Sequence, residues 1–567
     1  MNTALGLKSE ERMIRKGYIR YLIPTTVALC FSQIAPLVDS LCISEVMGEE
    51  ALSAMSTVSP IYYIFNIIGS FAGIGGGIAV AKAMGSGDKY AGGRAFTKAL
   101  LWTTVSTLIL SVLILIFIDP LLKLLCATEG NFMYAKEYLR VLVAGMVFYV
   151  INYSMTYILT DDNDANLSMA VGIVSGIVNM IVDVVGMFVL HQGIWVTAFG
   201  TVFGMFVGCL VCLVHMRKKD RICRFTPKKA GVPDIKLTEI MSPGMPEASE
   251  YLLFALQMLQ SNYILSSSIG TSGLGNAAVI ENLELISTII IAGISESVLP
   301  LFASYHGEGN TDINRIVKRT VIILGEALMI PFVLSLIIFP QWLMMVFSIE
   351  EPVMMETLPR AIRIMAVAQL AAMMNAILVS FMQSTDDEKR ATISYFIQGV
   401  IQISVMAALS KTERTDAPWF ATLAAYTTVL LYFIFYCKQF KGLFSNDFKH
   451  ILMIDGGRTD EAVFKDWVDN SGKILRAEES SMLWEKLFAP LINVLSKEKT
   501  YPCTFMIISC EDGHRAAILR YDSRKDLMGG PDNEDENGDE DEDSETIYNE
   551  CIRSEFNYVR RMMINFE

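Results

Sequence analysis

Charge is what this sequence has least of. Only 19% of its 567 residues are Asp, Glu, Lys or Arg, while 52% are hydrophobic. Soluble domains carry roughly a quarter charged residues, so an ordinary soluble enzyme is excluded. Surplus positive charge is missing as well. The net charge is −14, which argues against nucleic acid as a partner. No cleavable leader is expected: the first apolar segment, from about Tyr18 to Val46, is too long for a signal h-region and lacks a small-residue cleavage site. It is expected to remain as a span. The ten cysteines are scattered. The C-x-x-C formed by Cys209 and Cys212 falls inside an apolar run, where a thiol behaves as a small hydrophobe. Neither a cofactor site nor an enzyme is expected.

What the sequence does have is apolar runs of about 20 residues, each long enough to cross a bilayer core of ~30 Å. Spans are predicted near 18–46, 53–83, 95–118, 134–159, 167–190 and 194–216, then near 243–267, 277–304, 317–340, 357–383, 390–410 and 416–437. The loops between them differ in charge. One set carries Lys89 and Arg94, the cluster from Arg217 to Lys229, then Arg315, Lys318 and Arg319, and Lys389 with Arg390. The other set, around Glu49, His191, Gly273 and Glu350, holds almost no Lys or Arg. The positive-inside rule makes the basic set cytoplasmic and puts both termini there. A multi-pass protein of the plasma membrane is expected.

The two halves repeat. Pro24, Gly48, Gly85 and Gly87 recur 222 positions later as Pro246, Gly270, Gly307 and Gly309. Arg140 matches Arg363 at 223, and Thr160-Asp161-Asp162 matches Thr385-Asp386-Asp387 at 225. Six spans per half is an even number, so both halves point the same way. That is a parallel repeat, an architecture of alternating-access transporters. Pro24, Val38-Asp39, Gly48-x-x-Ala51-Leu52, Pro60 and Gly85-Ser86-Gly87-Asp88 resemble the first-half signature of the multidrug and toxic compound extrusion (MATE) family. Met245-Pro246 and Gly270 through Asn276 resemble its second-half counterpart. The resemblance covers about residues 15–440. It implies two six-helix bundles forming a V around a central cavity, with Pro24 and Pro246 as helix-bend positions, and export driven by inward Na⁺ or H⁺.

Ionisable residues at bilayer depth cost ~2.5–3.5 kcal/mol on insertion scales, which makes Asp39 and Asp183 functional candidates. Each lies seven residues before the outer end of its expected span, and Thr201 lies six or seven residues inward on the sixth. At 1.5 Å per residue all three sit ~10 Å below the outer surface. Asn179, four residues before Asp183, shares its helix face. Two carboxylates, an amide and a hydroxyl at one level suit a small hard cation. Neighbouring carboxylates also oppose each other's ionisation, so a proton can substitute. In the MATE resemblance Asp39, Asn179, Asp183 and Thr201 match the coupling-ion site, with Na⁺ or H⁺ as the ion. The second half holds Ser261, Ser404 and Ala408 at the corresponding positions, and Phe254 stands mid-way along the seventh span, where another branch of the family has a glutamate.

Further acids mark the second half. Glu281, Glu284 and Glu326 are expected to line a cavity that attracts small cationic or amphipathic organic compounds, with Glu250 and Glu296 nearby in sequence. After residue 440 the pattern changes to a small α+β domain, residues 445–567, with 15 basic and 27 acidic side chains. A helix is predicted over Glu461–Val468, another over Ser480–Leu495, and strands over Ile451–Ile454, Cys503–Ser509 and Arg515–Arg520. The acidic stretch inside 529–546 is predicted to be a disordered loop. This order resembles an anti-sigma-factor-type histidine-kinase-like ATPase domain. Asn493 and Asp522 stand where its nucleotide residues would be, but Ala489 and Ser523-Arg524 replace an acid and a glycine. A degenerate regulatory domain with a cytoplasmic protein partner is implied.

The expected fold is therefore an all-α polytopic membrane protein. Its twelve transmembrane helices form a first lobe (1–216), a linker (217–242) and a second lobe (243–440), followed by the C-terminal domain. Two other functions fit that frame: a lipid-linked-sugar flippase, disfavoured by the acidic interior, and a transport-inactive membrane sensor.

Overall fold

In the computed structural model the described residues are 2–47, 49–86, 88–125, 130–162, 164–216, 223–229, 234–307, 311–346, 352–410, 416–441 and 443. In the C-terminal part they are 451–454, 461–470, 481, 484–489, 503–509, 515–522, 552–556 and 559–566. The acidic loop at 529–546 and Asn493 lie outside them.

Among the described residues, eleven helical stretches are long and apolar enough to cross a membrane. The first half supplies α1 (Asn2–Met47), α2 (Glu49–Ser86), α3 (Lys89–Ile116), α4 (Phe132–Asp161), α5 (Ala165–Val184) and α6 (Trp195–Met216). The second supplies α7 (Met245–Gly307), α8 (Thr311–Ile338), α9 (Pro352–Ser384), α10 (Glu388–Ser410) and α11 (Ala417–Leu431). Local chemistry sets several boundaries. Asp88 starts α3 by accepting the Ala91 N–H at 2.9 Å. A proline in the first turn opens α11, where its missing N–H costs nothing.

The long helix α7 differs from expectation. Its backbone stays helical through Gly273, where the sequence predicts a loop, and no proline interrupts the ladder between residues 247 and 299. Side chains from 255 to 278 are outside the described set. Nonetheless α7 folds back on itself. Gly244, just before its start, abuts the Ser70 carbonyl of α2, and Gly307 at its end abuts the Lys82 carbonyl of the same helix. Those two α2 positions are ~18 Å apart, whereas a straight helix of 63 residues would separate its ends by ~95 Å. So α7 runs through the whole stretch where spans near 243–267 and 277–304 are expected, and among the described residues its Leu283–Gly307 part is long and apolar enough to cross a membrane. Pro246 is its second residue, so it opens the helix and does not bend it. Pro24, by contrast, lies inside α1.

The halves meet through a reciprocal contact. A Cβ on Gly85 would come within 2.0 Å of the Ser304 carbonyl, and one on Gly307 within 2.2 Å of the Lys82 carbonyl. Lys82 and Ser304, like Gly85 and Gly307, are 222 positions apart. Residue i meets the twin of j while j meets the twin of i, which is the signature of a two-fold axis. Only glycine lets the two backbones approach this closely.

Buried side chains divide accordingly. One apolar cluster, including Ile43, Val58, Phe65, Tyr138 and Leu142, belongs wholly to the first lobe. Another joins the lobes at the end that carries the basic loops, with Tyr18, Val80 and Met84 packed alongside Val298, Phe302 and Met382. At that end the linker is stapled to α3. Arg94 donates to both oxygens of Asp234 at 3.0 and 2.9 Å and to the Thr226 carbonyl at 2.7 Å, and Lys98 reaches Asp234 at 2.9 Å. The Arg94 hydrogen bond holds the Asp234 carboxyl well below the usual carboxylate range.

The C-terminal segment forms a five-stranded antiparallel sheet of β1 (Ile451–Ile454), β2 (Cys503–Ser509), β3 (Arg515–Asp522), β4 (Ile552–Phe556) and β5 (Val559–Phe566), in the order β1-β2-β3-β5-β4. Strand β3 runs two residues beyond its predicted end. A helix, α12 (Glu461–Asn470), buries Phe464 against Phe488 at 4.4 Å between ring centroids. Within the second predicted helix, the described residues form a π-helical turn over Trp484–Phe488.

Candidate functional site

Asp39 on α1, Asn179 and Asp183 on α5 and Thr201 on α6 come together in the first lobe. All four are buried, Asp183 completely. Thr201 donates its hydroxyl to Asp39 Oδ2 at 3.3 Å or to the Thr197 carbonyl at 3.2 Å. Asn179 Nδ2 donates to Asp183 Oδ2 at 3.2 Å and to Thr201 Oγ1 at 3.4 Å. The two carboxyl groups lie within hydrogen-bonding reach of each other. The four residues that the sequence places at one level are thus brought into contact. One detail differs: the amide faces the cluster with its nitrogen, not its oxygen.

Small residues make this convergence possible. On α6, Gly200, Gly204 and Gly208 form a stripe at four-residue spacing. A Cβ on Gly200 would stand 2.3 Å from Asp183 Oδ1, one on Gly204 2.4 Å from the Ser175 carbonyl, and one on Gly208 2.1 Å from both Asn152 and Ser175. Close approach of this kind is how membrane helices gain van der Waals contact. Asn152 then ties α4 to α5 and α6, donating to Ser175 Oγ at 3.2 Å and to the Met205 carbonyl at 3.3 Å.

Two oxygens of the cluster, Asp39 Oδ1 and Asp183 Oδ1, are buried with no side-chain or backbone N–H or O–H donating to them. A buried carboxylate oxygen left unpaired is costly, and a proton or a small cation held there would satisfy it. Among the described residues no group of three or more His, Cys, Asp or Glu is arranged for a metal ion. The donor set of two carboxylates, a hydroxyl and an amide fits a small monovalent cation better than a transition metal. Tyr62 and Tyr138, which share a hydroxyl hydrogen bond at 3.0 Å, lie within electrostatic range of Asp39. Sequence reasoning passed over both, because nothing distinguishes them from the other core tyrosines.

The acids of the second half are distributed differently. Glu326 is half-buried on α8, its Oε1 buried and unpaired, next to a Gly325 that faces Met373 and Ile377 of α9. Glu284 is half-buried on α7 near Tyr426 of α11. The side chain of Glu281 lies outside the described set. The acids that the structure groups together are Glu247, Glu250 and Glu296, all on α7. They face Tyr157 of α4 and Tyr395 of α10, and beside them Tyr153 and Tyr251 share a hydroxyl contact of 3.1 Å across the lobes. Tyr63 of α2 adds ring contacts to Tyr251 and Phe254. The three-residue spacing of Glu247 and Glu250 and the four-residue spacing of Tyr153 and Tyr157 were the available signals.

With this geometry in place, comparison with known proteins is direct. The model of the MatE family matches residues 24–185 and again 246–407, two segments offset by 222 at both ends. The multidrug export protein MepA of Staphylococcus haemolyticus is 23% identical over 406 residues, covering 71% of this chain and 88% of its own length. The probable multidrug resistance protein NorM of Thermotoga maritima is 23% identical over 401 residues, covering 69% and 84%. A solved structure described as the outward-facing conformation of a multidrug resistance MATE family transporter superposes with a TM-score of 0.70 at 19% identity, covering 76% of this chain and 98% of that one. At that identity the likeness speaks for the fold.

Proposed function

The chain belongs to the MatE family of multi-pass membrane transporters, and on that premise we propose that it exports small cationic or amphipathic organic compounds in exchange for inward-moving Na⁺ or H⁺. The observation that carries the reading is the buried Asp39–Asp183 pair with one unpartnered oxygen on each carboxylate. Binding of the driving cation, with Thr201 and Asn179 as neutral partners, satisfies those oxygens. Its release leaves two like charges in a dry site, which favours rearrangement of α1, α5 and α6. A relative named for multidrug export, MepA, supports the direction of transport, and one named as a probable multidrug resistance protein, NorM, agrees with it. The basic end of the bundle faces the cytoplasm in this reading.

The half-buried group of Glu247, Glu250 and Glu296 with Tyr153, Tyr157 and Tyr251 forms an acidic, aromatic surface between the lobes. Carboxylates attract organic cations and tyrosine faces stack on them, so this surface is the substrate's place of contact. Glu326 and Glu284, with Glu281, extend the acidic character of the second lobe. The C-terminal sheet is assigned to a regulatory, protein-binding domain, a degenerate kinase-like ATPase fold. Measurable ATP binding by the full chain would contradict that assignment.

Ethidium efflux tests the main reading, comparing cells that express wild type with cells that express Asp39→Asn under an imposed Na⁺ or pH gradient. Efflux that follows one gradient and is lost in Asp39→Asn is expected. Full gradient-driven efflux in that variant would remove Asp39 from the coupling site.

A further inference from the structure

We propose that Asp386, Lys82 and His306 form an electrostatic clasp that holds the lobes together at the cytoplasmic mouth and opens once in each transport cycle. The inference rests on the alternating-access reading above but uses residues that reading leaves idle. Lys82 lies on α2 of the first lobe, His306 in the last turn of α7, and Asp386 in the turn between α9 and α10. Lys82 Nζ donates to Asp386 Oδ1 at 2.5 Å, and His306 Nε2 meets Oδ2 at 2.7 Å. One carboxylate thus takes both partners, and the Lys82 bond crosses between lobes.

The backbone around Asp386 is built for this. Its φ is 60°, in the left-handed region that Asp and Asn tolerate and most side chains resist. Its neighbour Asp387 is occupied by Arg390 of the same lobe at 3.1 Å and does not compete for Lys82. The His306 hydrogen bond and the Lys82 charge hold the Asp386 carboxyl well below the usual carboxylate range, so it stays ionised at neutral pH.

Position makes the clasp more than a surface ion pair. Exposed pairs usually contribute little. This one sits beside the Gly85–Ser304 and Gly307–Lys82 crossing, where the two lobes touch backbone to backbone. The lobes cannot part there while Lys82 remains bound to Asp386. Nor is the clasp a by-product of the repeat. Offsets of 222 and 225 make Ser304 the twin of Lys82, Met84 the twin of His306 and Asp161 the twin of Asp386. Asp161 is buried against Gly77 of its own lobe. The second lobe therefore reaches across with its acid and the first lobe does not.

Pulsed spin–spin distance measurement tests the proposal. Labels go on cysteines replacing the exposed Lys89 and Lys389, one on each lobe, in the full chain on a cysteine-free background in nanodiscs without substrate or ion gradient. Asp386→Asn keeps the left-handed turn and removes the charge, and Lys82→Gln removes the partner. Each is expected to lower the ratio of short to long distances by about two- to five-fold, while Lys82→Arg preserves it. Unchanged distributions in both Asp386→Asn and Lys82→Gln would overturn the clasp. Because the readout needs neither substrate nor gradient, a failure of the export reading would show in efflux and leave these distances untouched.

Discussion

The two lobes share a plan and differ in chemistry, and the difference shows which positions serve the fold. Asn152 on α4 and Asn375 on α9, 223 positions apart, both brace their bundles. Asn152 donates to Ser175 and the Met205 carbonyl, and Asn375 to the Tyr426 carbonyl at 3.0 Å. That bond survives in both halves, so it belongs to the scaffold. The carboxylates do not survive. Where the first lobe has Asn179 and Asp183, the second has Ser404 and Ala408. Where the first has Gly200, leaving room for Asp183, the second has Ala425 at the same offset of 225. Between α10 and α11 the second lobe buries a neutral pair, Gln402 donating to the Thr422 hydroxyl at 3.1 Å.

The comparison breaks most sharply at Gly200. Gly200→Ala puts a methyl 2.3 Å from Asp183 Oδ1, so the carboxylate must move. Gradient-driven efflux should fall by roughly tenfold or more, the scale of about 1.4 kcal/mol in ion binding. The matching change in the second lobe, Ala425→Gly, should leave ion dependence unchanged. Equal effects of the two on the ion requirement would mean that both lobes take part in coupling.

A smaller effect is expected where the lobes face each other. The acids of that surface come from α7 and most of its tyrosines from the first lobe. Glu250→Gln should reduce resistance to organic cations several-fold with resistance to neutral compounds preserved, on the scale of about 1 kcal/mol for one desolvated cation contact. Parallel loss of both in growth assays would reassign Glu250 to structure.

The smallest difference is expected for the shared asparagines. Asn152→Ala and Asn375→Ala should each cost about 1 kcal/mol, by analogy with other interhelical hydrogen bonds. Thermal unfolding in detergent would measure both, and a large disparity would deny them a common role.

Much of this was legible in the residues. Span positions followed from apolar runs, because a bilayer imposes one length on every crossing. Asp39 and Asp183 stood out because charge is rare at that depth, and Asn179 followed from helical spacing. The strand at Cys503–Ser509 was readable from its own β-branched and aromatic composition. Other features needed three dimensions. The grouping of Glu247 and Glu250 with Glu296 joins residues almost fifty positions apart on a helix that doubles back. The Asn179 amide turned its nitrogen inward because Asp183 and Thr201 both offer acceptors. Asp386 was visible as a repeated motif, yet its partners Lys82 and His306 lie on other helices, and nothing local announces them.

A contact in which each side offers the other the same surface is the kind that two copies of one protein make. Gly85 and Gly307 meet the opposite lobe in that way within a single chain. In a true dimer every substitution appears in both partners at once, and a lysine on one side means a lysine on the other. One chain is free of that constraint, so Lys82 can have Ser304 as its twin and Asp183 can have Ala408.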